Sequence, residues 1–327
     1  MNMQAYRAPA WLPGGNLQTI WAATRALAHA PAAGARFERE RWATPDGDFI
    51  DVDHLLRAAP AAGARHLVLF HGLEGSISSA YSQAFGAIAQ ARGWDYSVPH
   101  FRGCSGELNL APRAYHSGDY EEIAWILARL RQGSTAPLLV VGISLGGNAL
   151  LRWAQEAGDS AAATAASVAA VCSPIDLAAS GRAIDRGFNW LVYSRMFLAS
   201  MKPKAMAKWQ QHPGLFDRDR LLAARTLYEF DNVFTAPLHG FADTPDYWAR
   251  ASAKPGLAQI RIPALVLSAL NDPFVPSASL PGPAEVGQRV TLWRPEQGGH
   301  VGFPQGPYPS HVQAMPGAVC DWLIEHA

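Results

Sequence analysis

Cysteine is scarce in this chain. Cys104, Cys172 and Cys320 are an odd number, and none belongs to a CxxC pair or a Cys/His cluster. That argues against a disulfide framework and against a metal site, and reduced cysteines suit a cytoplasmic protein. An excess of one charge is missing too, since 27 Lys+Arg balance 27 Asp+Glu and no polybasic run occurs. Such a balance offers no field for nucleic acid or an anionic membrane, so no nucleic-acid partner is expected. Long apolar runs are also wanting. The N-terminal stretch MNMQAYRAPAWLPGGNLQTIW is broken by Pro9, Pro13 and two glycines, and the apolar segment 188–201 is too short to span a bilayer and contains Arg195. The expectation is a cytoplasmic, soluble protein without stable membrane insertion. No internal repeat and no low-complexity linker interrupts it.

What the chain does have is a globular balance, 49% apolar and 17% charged residues, over a length that can bury a sizeable core. Alternating polar and apolar residues at 35–44 and 48–56, joined by the turn PDGD, read as a hairpin. Continuous apolar runs follow at 65–72, 137–143, 166–174 and 263–270, as in strands buried on both faces. Shorter strands are expected at 96–101 and 289–295. Helical patterns lie at about 79–92, 119–130, 145–155 and 311–325, and an Ala-rich patch at 157–170 reads as a helix end and a loop. Strands alternating with helices predict an α/β fold, a mostly parallel sheet with helices on both faces. Residues 175–260 interrupt this rhythm with aromatic and methionine residues, among them Trp190, Tyr193, Met196 and Phe197. They are expected to form a helical lid with a core of its own. Residues 1–174 and 261–327 would then make up the central domain.

The segment LLVVGISLGGNALLRWA, residues 138–154, carries the chemistry. Gly142-Ile143-Ser144-Leu145-Gly146 matches G-x-S-x-G, between a buried strand and an amphipathic helix. That context is what a nucleophile elbow needs, whereas a serine merely capping a helix would not require it. A serine hydroxyl attacks only when a base takes its proton and a carboxylate orients that base. With this elbow the chain order is serine, acid, histidine. Asp272 in NDPFVP follows the penultimate strand, and His300 in GGHVGF follows the last one. Their rivals are Asp176, better suited to starting a helix, and His71, which precedes the serine. Two oxyanion donors are expected from backbone N–H groups, those of Leu145, directly after the nucleophile, and Leu73, in the loop FHGLEG. Arg102 and Asp119 read as a structural ion pair.

The runs HGLEGSISSAYS, FRGCSGELNLAPRAYHSGD, GISLGGNALLRW, FDNVFTAPLHGF, DYWARAS, NDPFVP and GGHVGF occur in order along nearly the whole chain. In these the sequence resembles the YheT-like branch of the α/β hydrolases. The resemblance implies an α/β-hydrolase fold, a Ser144–Asp272–His300 triad and hydrolysis of carboxylic esters, with some relatives acting on acylglycerols or phospholipids. Asn16 and Asn271 depart from that family, which usually carries a histidine and a second aspartate there, and altered loop support is expected. The function expected is therefore that of a serine esterase for a small-molecule ester with an apolar acyl group, without cofactor or metal. The same residues would also serve an acyltransferase, a thioesterase or a non-catalytic ligand-binding protein.

Overall fold

A computed structural model describes residues 3–26, 35–56, 64–134 and 137–327. Eight strands form one sheet in the order β1-β2-β4-β3-β5-β6-β7-β8. β1 (Phe37–Ala43) and β2 (Phe49–Leu55) pair antiparallel from Phe37↔Leu55 to Ala43↔Phe49, and β2 lies antiparallel to β4 (Asp95–Pro99). All other pairings are parallel, through β3 (His66–Phe70), β5 (Leu138–Ile143), β6 (Ala165–Val171), β7 (Ala264–Leu267) and β8 (Val290–Trp293). Glu38, Arg39, Glu40 and Arg41 stand exposed on the edge strand β1, where charge discourages pairing with another chain.

β5 and β7 are buried along their whole length and β3, β4 and β6 at all but one residue each, and their residues divide by period two between the faces of the sheet. Leu138 and Val140 of β5 join one apolar cluster, while Leu139, Val141 and Ile143 join the other. The first face is covered by α3 (Tyr120–Gln132) and α4 (Leu145–Ala157), which contribute Ile123, Ile126, Leu127, Leu150 and Trp153. The second is covered by α2 (Ala80–Ala91) and the C-terminal helix Ala314–Glu325, through Phe85, Ala89, Val319 and Trp322. Parallel crossovers demand covering elements of this kind on both faces. The strand expected at 166–174 runs from Ala165 to Val171, so the second half of the Ala-rich patch is strand rather than loop. A short 3-10 turn spans Gly158–Ala163, and β6 starts at Ala165. Small side chains suit a central strand over which helices pack closely on both sides.

Between β6 and β7 the chain leaves the sheet. This excursion includes α5 (Leu177–Ile184) and the longer helix Arg195–Gln211, and it encloses its own cluster with Leu198, Leu221, Phe230 and Phe234. Tyr193 also packs with Phe274 and Val275 of the loop after β7, which ties the excursion to the strand ends. Among the described residues no helix is long and apolar enough to cross a membrane.

Candidate active site

β5 delivers Ser144 into a turn at φ 52°, ψ −118°, and α4 begins at the next residue. This left-handed backbone costs roughly 1–3 kcal/mol for a residue with a side chain. The turn closes because its neighbours lack one. A Cβ on Gly142 would lie 2.4 Å from the Gly147 Cα, and one on Gly146 would lie 2.5 Å from the His71 carbonyl oxygen. The Ser144 hydroxyl makes no capping bond to α4. Instead its Oγ lies 2.9 Å from His300 Nε2.

His300 Nδ1 lies 2.9 Å from Asp272 Oδ2 and 3.2 Å from Oδ1. The fully buried Asp272 carboxylate also accepts at Oδ1 from the amides of Phe274 (2.7 Å) and Val275 (3.2 Å). With a carboxylate facing Nδ1, that nitrogen carries the proton, and Nε2 is left to accept from the serine hydroxyl. The Phe274 ring lies 4.2 Å from the imidazole, centroid to centroid, and limits its swing.

Sequence reasoning overlooks the support behind His300. α1 (Gly14–Thr24) buries Gln18 and Thr19 against the His300 loop. Thr19 Oγ1 accepts from the His300 amide at 2.8 Å, and Gln18 Oε1 accepts from the Gly298 amide at 2.9 Å. Asn271 donates to Gln18 Oε1 (3.0 Å) and accepts from the Gly299 amide (2.9 Å). Asn16 accepts from the Tyr193 hydroxyl at 2.8 Å, joining α1 to the excursion. The signal available in the sequence is two polar residues, Gln18 and Thr19, flanked by apolar ones in a short helix.

The two expected oxyanion donors also lie beside Ser144. Leu145 opens α4, and Gly72, just before Leu73, approaches so closely that a Cβ on it would stand 3.2 Å from the Ser144 Cβ. Among the described residues neither the Leu73 nor the Leu145 amide donates a hydrogen bond within the chain. A cavity of about 370 Å³ opens between these groups and the excursion. Its wall includes Ile20, Tyr81, Val192, Met196, Phe197 and Phe274 beside Ser144 and His300. A smaller cavity of about 110 Å³ lies beyond Leu73 and Leu145 and is lined by charged groups such as Lys204 and Asp231.

The rival residues are committed elsewhere. His71 is fully buried, donates from Nδ1 to the Gly72 carbonyl (2.8 Å) and accepts at Nε2 from the Phe101 amide (3.1 Å). Burial pushes its pKa down to about 3, so it stays neutral. Asp176 caps α5 by accepting from the Ala179 amide at 2.9 Å. His54 and His66 bond Ser97, while His212, His239 and His326 bond backbone carbonyls. The expected Arg102–Asp119 pair does not form. Arg102 binds Glu122 (2.5 Å), Asp48 (2.6 Å) and Asp46 (2.9 Å), and Asp119 pairs with Arg113 (2.6 Å). Arg102 reaches the hairpin turn and the first turn of α3, which the sheet order brings together.

Cys172, Asp272 and His300 lie near enough to meet at one cation. Burial, with the neighbouring Asp272 carboxylate, holds the Cys172 thiol well above its usual range, so it stays protonated rather than a thiolate ligand. Its sulfur accepts from the Val301 amide at 3.4 Å and supports the His300 loop. The donor set therefore fits a metal poorly.

A family profile described as alpha/beta hydrolase fold matches residues 65–307. The Escherichia coli protein YheT, described as a candidate esterase, is 39% identical over 88% of this chain and 84% of its own length. Human phospholipase ABHD3 is 27% identical over 86% of this chain and 70% of its own. Among solved structures, mouse alpha/beta hydrolase domain-containing protein 10 superposes with a TM-score of 0.54 at 12% identity, covering 89% of this chain and all of that one. The Pyrococcus furiosus esterase Pf2001 gives 0.51 at 14%, over 89% and 90%.

Proposed function

The chain belongs to the α/β-hydrolase family, and we propose that it is a serine hydrolase that cleaves carboxylic esters with an apolar acyl group. The observation that carries this reading is the unbroken line of hydrogen bonds Asp272–His300–Ser144, ending at a strained serine that faces an apolar cavity. Ser144 Oγ attacks the ester carbonyl carbon as His300 Nε2 takes the hydroxyl proton. Asp272 holds the imidazole tautomer and stabilises the imidazolium. The charge that develops on the carbonyl oxygen is met by the N–H groups of Leu73 and Leu145, in a site partly screened from water. His300 then protonates the departing alcohol. In the second step it takes a proton from water, whose oxygen attacks the acyl carbon; the bond from that carbon to Ser144 Oγ breaks, the acid leaves, and His300 returns the proton to Oγ.

The cavity falls in the size range of small-molecule sites, roughly 300–1,000 Å³. Its apolar wall favours a hydrocarbon acyl chain, and the names of the bacterial and human relatives point toward esters and phospholipids as classes to try. Residues 175–260 serve as the lid, since Val192, Tyr193, Met196 and Phe197 close one side of the cavity. Three buried free thiols support a reducing, cytoplasmic setting. The test is intact-protein mass after fluorophosphonate treatment, with ester turnover measured alongside. Wild type should gain one adduct at Ser144, and Ser144→Ala should gain none and lose turnover. A Ser144→Ala protein that keeps most of its turnover would overturn the assignment.

A further inference from the structure

Glu74 stands directly after the proposed oxyanion donor Leu73, in a backbone conformation that a glutamate adopts at a cost. Its φ is 56°, and it occupies the third position of the tight turn closed by the Gly75 amide on the Gly72 carbonyl at 2.9 Å. Such a position favours glycine or asparagine. The turn matters because a trans peptide is planar: the Leu73 N–H points opposite to the Gly72 C=O. Whatever holds the Gly72 carbonyl in this turn therefore aims the Leu73 N–H.

The Glu74 side chain is anchored from two directions. The Tyr115 hydroxyl accepts from the Glu74 amide (3.0 Å) and donates to Glu74 Oε1 (2.9 Å), so side chain and backbone are fixed together. Oε2 takes the Lys204 ammonium at 2.8 Å and the Ser200 hydroxyl, both from helix Arg195–Gln211 and four residues apart on one face of it. Leu73 and Glu74 line both cavities. A single carboxylate thus links the lid helix to the turn that orients an oxyanion donor.

We propose that Glu74 is a positioning residue, which aims the Leu73 N–H only while Ser200 and Lys204 of the lid helix are seated on its carboxylate. His71 Nδ1 also donates to the Gly72 carbonyl at 2.8 Å, so the lid acts on the Glu74 side of the turn, and lid closure and completion of the oxyanion site become one event. This rests on the reading of Leu73 as an oxyanion donor. It differs from that reading by assigning the aim of the donor to the lid.

The experiment compares wild type with Glu74→Gly, Glu74→Gln and Lys204→Met on a short ester, p-nitrophenyl acetate, whose acyl group is too small to need the lid's apolar wall. In Glu74→Gly the φ penalty is relieved while Tyr115, Ser200 and Lys204 lose their carboxylate, so the two effects on stability oppose each other and thermal unfolding serves as the control for structure. The kcat of Glu74→Gly should fall on the order of 10- to 100-fold with KM little changed, since a misaimed donor acts on the transition state. Glu74→Gln keeps an acceptor for Tyr115 but turns its NH2 toward the Lys204 ammonium, so its kcat should fall about as far as that of Lys204→Met. Lys204→Met should lower kcat less than Glu74→Gly does, and should add nothing on top of Glu74→Gly. A Glu74→Gly kcat within 2-fold of wild type, or fully additive losses in the double variant, would overturn the proposal. Failure of wild type to take the fluorophosphonate at Ser144 would instead overturn the esterase reading on which it rests.

Discussion

Replacing Asp272 by asparagine tests the proposed relay sharply, because the structure decides which way the new amide must face. Asp272 Oδ1 accepts two backbone N–H groups, from Phe274 and Val275, at 2.7 and 3.2 Å. An NH2 group there would meet two donors, so asparagine keeps its oxygen on that side and presents the NH2 to His300. That NH2 donates to Nδ1, which forces the imidazole proton onto Nε2. Nε2–H then faces Ser144 Oγ and cannot accept the hydroxyl proton. Volume and packing hardly change, so the fold should survive with its cavity intact. Turnover should fall by about 10⁴-fold, equivalent to about 5.4 kcal/mol of lost transition-state stabilisation. The assay is kcat for ester hydrolysis under saturating substrate, with thermal unfolding as the control for structure. Asp176→Asn is the companion variant. Its side chain only caps α5, asparagine caps as well, and kcat should stay within about 2-fold. An Asp272→Asn protein within 10-fold of wild type, or a crippled Asp176→Asn, would refute the reasoning.

Two further outcomes follow from the surroundings of the site. Gln18→Leu strips partners from the Gly298 amide, the Asn271 amide and the Leu12 carbonyl in a buried setting, and should cost on the order of 3 kcal/mol in denaturant unfolding; a cost below about 1 kcal/mol would show that the α1 buttress is dispensable. Burial in the wall of the smaller cavity pushes the Asp231 carboxyl up to about 6, against hydrogen bonds from Thr235 and Trp248 that favour the charged form. The folded state then binds a proton more tightly than the unfolded chain, so this group's contribution to stability is present at low pH and is lost as pH rises through 6. Between pH 5 and 7.5 the stability of wild type relative to Asp231→Asn should decline, and a difference independent of pH would contradict the burial argument.

Much of the framework is legible in the sequence because its signals are local. β5 reads as an uninterrupted apolar run because both of its faces are buried, and the β1–β2 hairpin reads from alternation and its turn, although β1 is exposed from Glu38 to Arg41 and β2 is buried over most of its length. The elbow reads from glycines that the turn cannot do without. β6 is harder. Ala165–Val171 is so rich in alanine that its first residues resemble a loop, and only the helices packed closely on both faces explain why a strand of small side chains is right there. The supports of His300 leave almost no local trace. Thr19 meets the His300 amide across 281 positions of chain, and a threonine in a short N-terminal helix announces nothing about that.

Arg102 shows the same limit from the side of charge. Asp119 is a plausible partner by proximity in sequence, yet the guanidinium goes to Glu122, one helical step further on, and to Asp48 of the hairpin, because β2 lies beside β4 in the sheet. Periodicity, glycine punctuation and the order serine, acid, histidine belong to the sequence by itself, since each depends on residues a few positions apart or on the ends of recognisable strands. The tertiary structure alone decides which distant groups satisfy one another. Gln18 comes to hold the loop of residue 300, and Lys204 comes to rest on Glu74, because strand order and packing bring those elements together and each buried polar group must then find its partner there.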